Sequence, residues 1–93
     1  MTTGAQKYRL TWEVGSGYSN QDAAERIEYT MSINRDFSNS AGQVFHINDW
    51  EIDADKCEAI VDLYEYTEWG GQDLYFIFSG LPEVVGPRSE LMF

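Results

Sequence analysis

Residues 6–14, QKYRLTWEV, alternate without interruption: Tyr8, Leu10, Trp12 and Val14 point one way, and Lys7, Arg9, Thr11 and Glu13 point the other. A period of two belongs to a β-strand, and the chemistry of its two sides makes this a strand with one buried face. The chain must therefore supply further strands to pair with it and a layer to cover its apolar side.

Ninety-three residues, 43% apolar and 15% aromatic, provide for one compact domain and no second. A chain of this size buries about 60 to 65% of its unfolded surface. No apolar run approaches the length of a membrane span, and the start, MTTGAQKYRL, lacks the apolar stretch of a secretory signal, so a soluble, cytoplasmic protein is expected. A lone cysteine, Cys57, excludes an internal disulfide, and a lone histidine, His46, leaves little for a histidine and thiolate metal site. Packing alone has to hold the fold.

The charge is lopsided, with sixteen acids against six bases for a net of −10. Between Asp36 and Pro87 the only lysine or arginine is Lys56. A protein that grips nucleic acid needs a basic footprint, so direct binding to DNA or RNA is not expected. A basic partner protein is.

After the first strand, GSGYSN (15–20) has the residues of a turn. DAAERIEYTMSIN could open as a helix capped by Asn20, but Ile27, Tyr29, Met31 and Ile33 alternate with Glu28, Thr30, Ser32 and Asn34, which favours a second strand over 24–35. QVFHI (43–47) reads as a third strand that ends at a break at Asn48 and Asp49. Asp53 is a good helix N-cap, Ile52 can staple onto Cys57, and Gly70 and Gly71 are strong stops, which predicts a helix over 54–69. QDLYFIFSG (72–80) is apolar enough for a central strand, whereas the tail from 80 to 93 is too rich in Pro and Gly to extend the sheet. The expected fold is α+β: an antiparallel sheet of about four strands, in the order β-β-β-α-β, with one acidic helix packed on a face. Its core would take Trp12, Tyr29, Phe45, Tyr75, Phe76 and Phe78.

On that helix Cys57, Ile60, Val61 and Tyr64 would face the sheet. Asp55, Glu58, Asp62 and Glu65 would line the opposite side at spacings of three and four, as a carboxylate stripe flanked by Tyr66 and Trp69. Neighbouring like charges oppose folding, and Glu65 and Glu68 would sit at the negative end of the helix dipole. Replacing either by lysine is expected to stabilise the fold slightly. The bland reading is a solvated face that keeps the protein soluble. The sharper one is an interface for a basic partner, with Asp49 and Glu51 extending the acidic surface and the aromatics supplying the residue types that dominate interface energy.

Asp49, Glu51, Asp53 and Asp55 alternate like the start of a calcium loop, but Ala54 stands where glycine is needed and Ile60 where the bidentate glutamate belongs. Beyond weak divalent binding no metal is expected there, and no cofactor elsewhere. His46 has no serine-based motif near it, Cys57 reads as a small core residue, and GSG at 15–17 is no phosphate loop. These absences point away from an enzyme.

With Asp55, Glu58, Asp62 and Glu65 beside Tyr66 and Trp69, the segment 49–73 resembles the surface of small acidic phage-encoded inhibitors, the anti-CRISPR proteins and DNA-mimicking anti-restriction proteins. The resemblance rests on size, charge and pattern, with no shared motif. It implies a non-enzymatic inhibitor that occupies the nucleic-acid-binding surface of a bacterial defence complex inside the host cell. The alternative is an acidic antitoxin or immunity protein, similar in logic to barstar, that plugs a nuclease toxin. A third possibility is a small hydrolase working through a carboxylate pair or a bound metal.

Overall fold

In the computed structural model, which describes residues 4–40, 42–67 and 74–92, the alternating segment is the core of strand β1 (Gly4–Val14). Tyr8, Leu10 and Trp12 are buried and Val14 packs against the same core, as the pattern requires. The rest of the chain follows as helix α1 (Asn20–Ile33), β2 (Asp36–Asn39), β3 (Gly42–Asp53), β4 (Glu58–Glu65), a 3-10 turn (Leu74–Phe78) and β5 (Val84–Leu91). The five strands form one antiparallel sheet in the order β2-β3-β4-β1-β5. The fold class is α+β as expected, with five strands rather than about four and with the helix between the first two.

Residues 20–33 are the helix, not a strand. Ser19 is its cap: its Oγ accepts from the Asp22 N–H (3.1 Å) while the Asp22 carboxylate accepts from the Ser19 N–H (2.9 Å), a complete capping box. Ala23, Ala24, Ile27, Thr30 and Met31 form its buried face. Tyr29 and Ile33, which produced the apparent period of two, are 55% and 61% exposed.

The expected helix over 54–69 is replaced, from 58 to 65, by β4. Ala54, Asp55, Lys56 and Cys57 make the turn of a β3–β4 hairpin, closed by the pair Asp53 and Glu58. The Asp53 carboxylate accepts from the Lys56 N–H (3.2 Å), and Cys57 takes a left-handed backbone (φ 53°) that sends the chain back along β3. Ala59, Val61, Leu63 and Glu65 then face the core, and Glu58, Ile60, Asp62 and Tyr64 face out.

The last two elements also depart from expectation. The described part of 72–80 is a 3-10 turn that buries Leu74 and Phe78 and exposes Phe76, not a central strand. The tail supplies β5, paired with β1. Pro87 is tolerated because β5 is an edge strand, where the missing N–H is not needed by a neighbour. Gly86 (φ 58°) and Pro87 take up a bulge opposite Trp12.

Helix α1 and the 3-10 turn cover one face of the sheet, where Leu10, Ile27, Met31, Phe45, Ile47, Val61, Leu63, Leu74 and Phe78 are fully buried. Of the expected aromatic core, Trp12, Phe45 and Phe78 are inside, Tyr75 is half-buried, and Tyr29 and Phe76 lie on the surface. Among the described residues no helix is long and apolar enough to cross a membrane.

Candidate functional site

The other face of the sheet carries no second layer among the described residues. Residues directly opposite one another in an antiparallel sheet share a face, so the register reads out what this face presents. One row runs Asp53, Glu58, Thr11, Arg88; the next runs Glu51, Ile60, Arg9, Glu90; the third runs Asp49, Asp62, Lys7. The bulge at Asn48 is what brings Asp49, Glu51 and Asp53 to this side, because one extra residue inverts the facing of everything after it.

The β3–β4 hairpin thus gathers Asp49, Glu51, Asp53, Asp55, Glu58 and Asp62, with Lys56 at the tip as its only lysine or arginine. Two of the pairs, Asp49 with Asp62 and Asp53 with Glu58, set like charges directly opposite each other, an unfavourable cross-strand arrangement. Relief comes from β1. Lys7 lies 3.9 Å from Asp62, and Arg9 lies 4.0 Å from Glu58 and 3.3 Å from Glu90. These ion pairs are largely solvent-exposed, worth about 0 to 1 kcal/mol each, and Asp49, Glu51 and Asp53 have no ion pair among the described residues.

At the other end of the same face the chemistry changes. Tyr64 and Tyr66 are 44% and 49% exposed, with ring centroids 5.0 Å apart. Tyr64 stands opposite His46, whose Nδ1 lies 2.6 Å from Asp36 Oδ1. The face is therefore a carboxylate field running into a tyrosine pair.

Of the residues singled out from the sequence, Asp49, Glu51, Glu58 and Asp62 meet on this face, Asp55 stands at the hairpin tip, and Tyr66 lies at the aromatic end. The helical stripe that was expected to unite them does not exist, since 58–65 is a strand. Glu65 leaves the group: it is 1% exposed on the core side, where Oε1 accepts from the Tyr8 hydroxyl (2.5 Å) and Oε2 has no partner among the described residues. Trp69 and Glu68 lie outside the described residues. Sequence reasoning missed Tyr64, Asp53, Lys7 and Arg9 as parts of the surface. The signal for Tyr64 was present in Glu58, Ile60, Asp62, Tyr64 and Tyr66, which alternate with the apolar Ala59, Val61 and Leu63.

An open depression of about 560 Å³ beside the hairpin is lined by Glu51, Asp53, Asp55 and Glu58 with Ile52 and Ile60. Among the described residues, no three histidine, cysteine or acidic side chains are grouped so that they could hold a metal ion. What this surface can do is attract and seat positive charge. No protein-family model, curated protein or solved structure matches the chain, so the reading of this face rests on its own chemistry.

Proposed function

We propose that the protein acts stoichiometrically and without catalysis, by laying the open face of its sheet on the basic, nucleic-acid-binding surface of a partner such as a bacterial defence complex or a nuclease. The observation that carries this reading is the pair of like-charge contacts, Asp49 with Asp62 and Asp53 with Glu58, on a face that no second layer covers among the described residues. Cross-strand neighbours sit about 5 Å apart and alternate residues of a strand about 7 Å apart, which makes a regular lattice of negative charge. Nothing in the folding of a hairpin asks for that arrangement, whereas a lysine- and arginine-lined groove is complementary to it. A net charge of −10 steers such a partner in from a distance and makes the association fast and salt-sensitive. Tyr64 and Tyr66 add the amphipathic aromatic surface that anchors interfaces once it is desolvated.

The test is capture from bacterial lysate at low and moderate salt, comparing the wild type with a Glu51→Lys, Asp53→Lys, Asp62→Lys triple variant whose folding has been verified. The expected result is a basic nucleic-acid-handling protein held by the wild type alone and released by added DNA. Capture of the same partner by both forms would move the site elsewhere, and substrate turnover at sub-stoichiometric protein would overturn the non-enzymatic reading.

A further inference from the structure

Strand β3 is 12 residues long, but its outer neighbour β2 has only 4. β2 pairs with β3 from Gly42 to His46, and the Arg35 carbonyl reaches one residue further, to the Ile47 N–H (2.7 Å). From Asn48 to Asp53, β3 has β4 on one side and, among the described residues, no strand on the other. The Ile47 N–H points outward, away from β4. The extra residue at Asn48 shifts the phase by one, so beyond the bulge it is Trp50 and Ile52 that turn their backbone groups outward. The bond from the Trp50 N–H to Asp49 Oδ1 (2.9 Å) fits that direction. The Trp50 carbonyl and both backbone groups of Ile52 have no partner among the described residues.

Beside this edge a groove of about 550 Å³ runs between β3 and α1, with Ala24, Tyr29, Ile52 and Ala54 as apolar surface and Glu25 and Glu28 among its polar residues. Above the edge, on the open face, stand Asp49, Glu51 and Asp53. Of the nearby cations, Arg26 lies 3.8 Å from Glu83, while Arg35 stacks 4.9 Å from the ring of Trp50, at the β2 end of the edge itself. A strand laid along this edge therefore meets Asp49, Glu51 and Asp53 on one face and Glu25 on the other, where the neighbouring Glu28 carboxylate accepts from the Trp50 indole N–H.

We infer that the Asn48–Asp53 edge of β3 accepts an extended, lysine- or arginine-bearing segment of the partner protein as a sixth strand. This rests on the proposed basic partner and adds how it is gripped. Main-chain bonds to Ile52 and Trp50 hold the segment. Its alternate side chains drop into the groove beside Glu25 or rise over Glu51 and Asp53. Until a strand arrives, the Asp49 carboxylate occupies the Trp50 N–H and blunts an edge that would otherwise pair indiscriminately.

The test uses the whole protein, a short blocked peptide of alternating lysine and valine, and the same peptide with every backbone nitrogen methylated, which keeps the charge and side chains but removes the donors. Binding is followed by titration calorimetry, and amide exchange is read by NMR. The unmodified peptide is expected to bind about ten-fold or more tightly than its methylated form and to slow exchange at the Ile52 amide. Equal binding of the two peptides, unchanged Ile52 exchange at saturation, or no binding at all would each overturn strand addition. Equal but salt-sensitive binding would leave the acidic-face reading standing, since that reading is decided by the lysate capture.

Discussion

Replacing Glu65 by lysine separates the strand from the helix more sharply than any other single change. On an acidic helix the substitution would relieve the negative end and stabilise slightly. On β4 it drives an ammonium into the core, at a position 1% exposed and directly opposite Phe45, where the described polar contact of the native carboxyl is the Tyr8 hydroxyl at 2.5 Å. An uncompensated buried charge of this kind destabilises by about 3 to 5 kcal/mol. A chain of this length has roughly 5 to 14 kcal/mol of stability in total, at about 0.05 to 0.15 kcal/mol per residue. At about 4 to 8 °C per kcal/mol the melting temperature should fall by roughly 12 to 40 °C, or the protein should fail to fold. Two companions guard against a trivial failure. Tyr8→Phe leaves the buried Glu65 carboxyl without that donor and should lower stability by about 1 to 3 kcal/mol, whereas Glu65→Leu with Tyr8→Phe removes both polar groups and should melt near the wild type. Circular dichroism melts and calorimetry on the purified variants provide the readout. If Glu65→Lys melts within about 4 °C of the wild type, Glu65 does not face the core and the assigned facing of β4 is wrong.

Asp49→Asn keeps the side-chain oxygen that bonds Trp50 but removes the charge facing Asp62, and should stabilise by about 0.2 to 1 kcal/mol at low salt. Urea midpoints should show that gain shrinking in concentrated salt, and a loss of stability instead would contradict the register. Ser19→Ala dismantles the capping box and should lower the thermal midpoint by an amount equivalent to about 0.5 to 2 kcal/mol. Gly15→Ala would place a methyl 1.9 Å from the Pro82 carbonyl oxygen, where the chain crosses itself, and should destabilise by about 1 to 3 kcal/mol in chemical denaturation.

The misread elements share a physical cause, which is that short-range patterns are degenerate. Cys57, Ile60, Val61 and Tyr64 satisfy a helical spacing, while Ala59, Val61 and Leu63 satisfy a strand spacing in the same eight residues. At Asp53 the ambiguity is chemical: a carboxylate accepting the N–H three residues on can cap a helix and can equally close the turn of a hairpin, as it does here. Only the left-handed backbone at Cys57 separates the two, and a non-glycine residue gives little warning of it. In 20–33 the decisive signal was written, as Ser19 and Asp22 in capping-box spacing, but the exposed Tyr29 and Ile33 imitated a strand. The run 74–78 looked like a central strand because it is apolar, although a 3-10 turn closing one end of the core has the same need for apolar side chains.

The residues alone determined that β1 has one buried face, that a lone cysteine leaves no internal disulfide, and that the protein is strongly acidic. Those properties follow from composition, charge and an uninterrupted alternation, none of which depends on what the rest of the chain does. Which carboxylates stand together was decided only by tertiary structure. The turn at 54–57 folds β4 back on β3, and the bulge at Asn48 rotates Asp49, Glu51 and Asp53 to the open side. The same pairing sends Glu65 into the core, because in a strand one step of register exchanges the solvent face for the buried one.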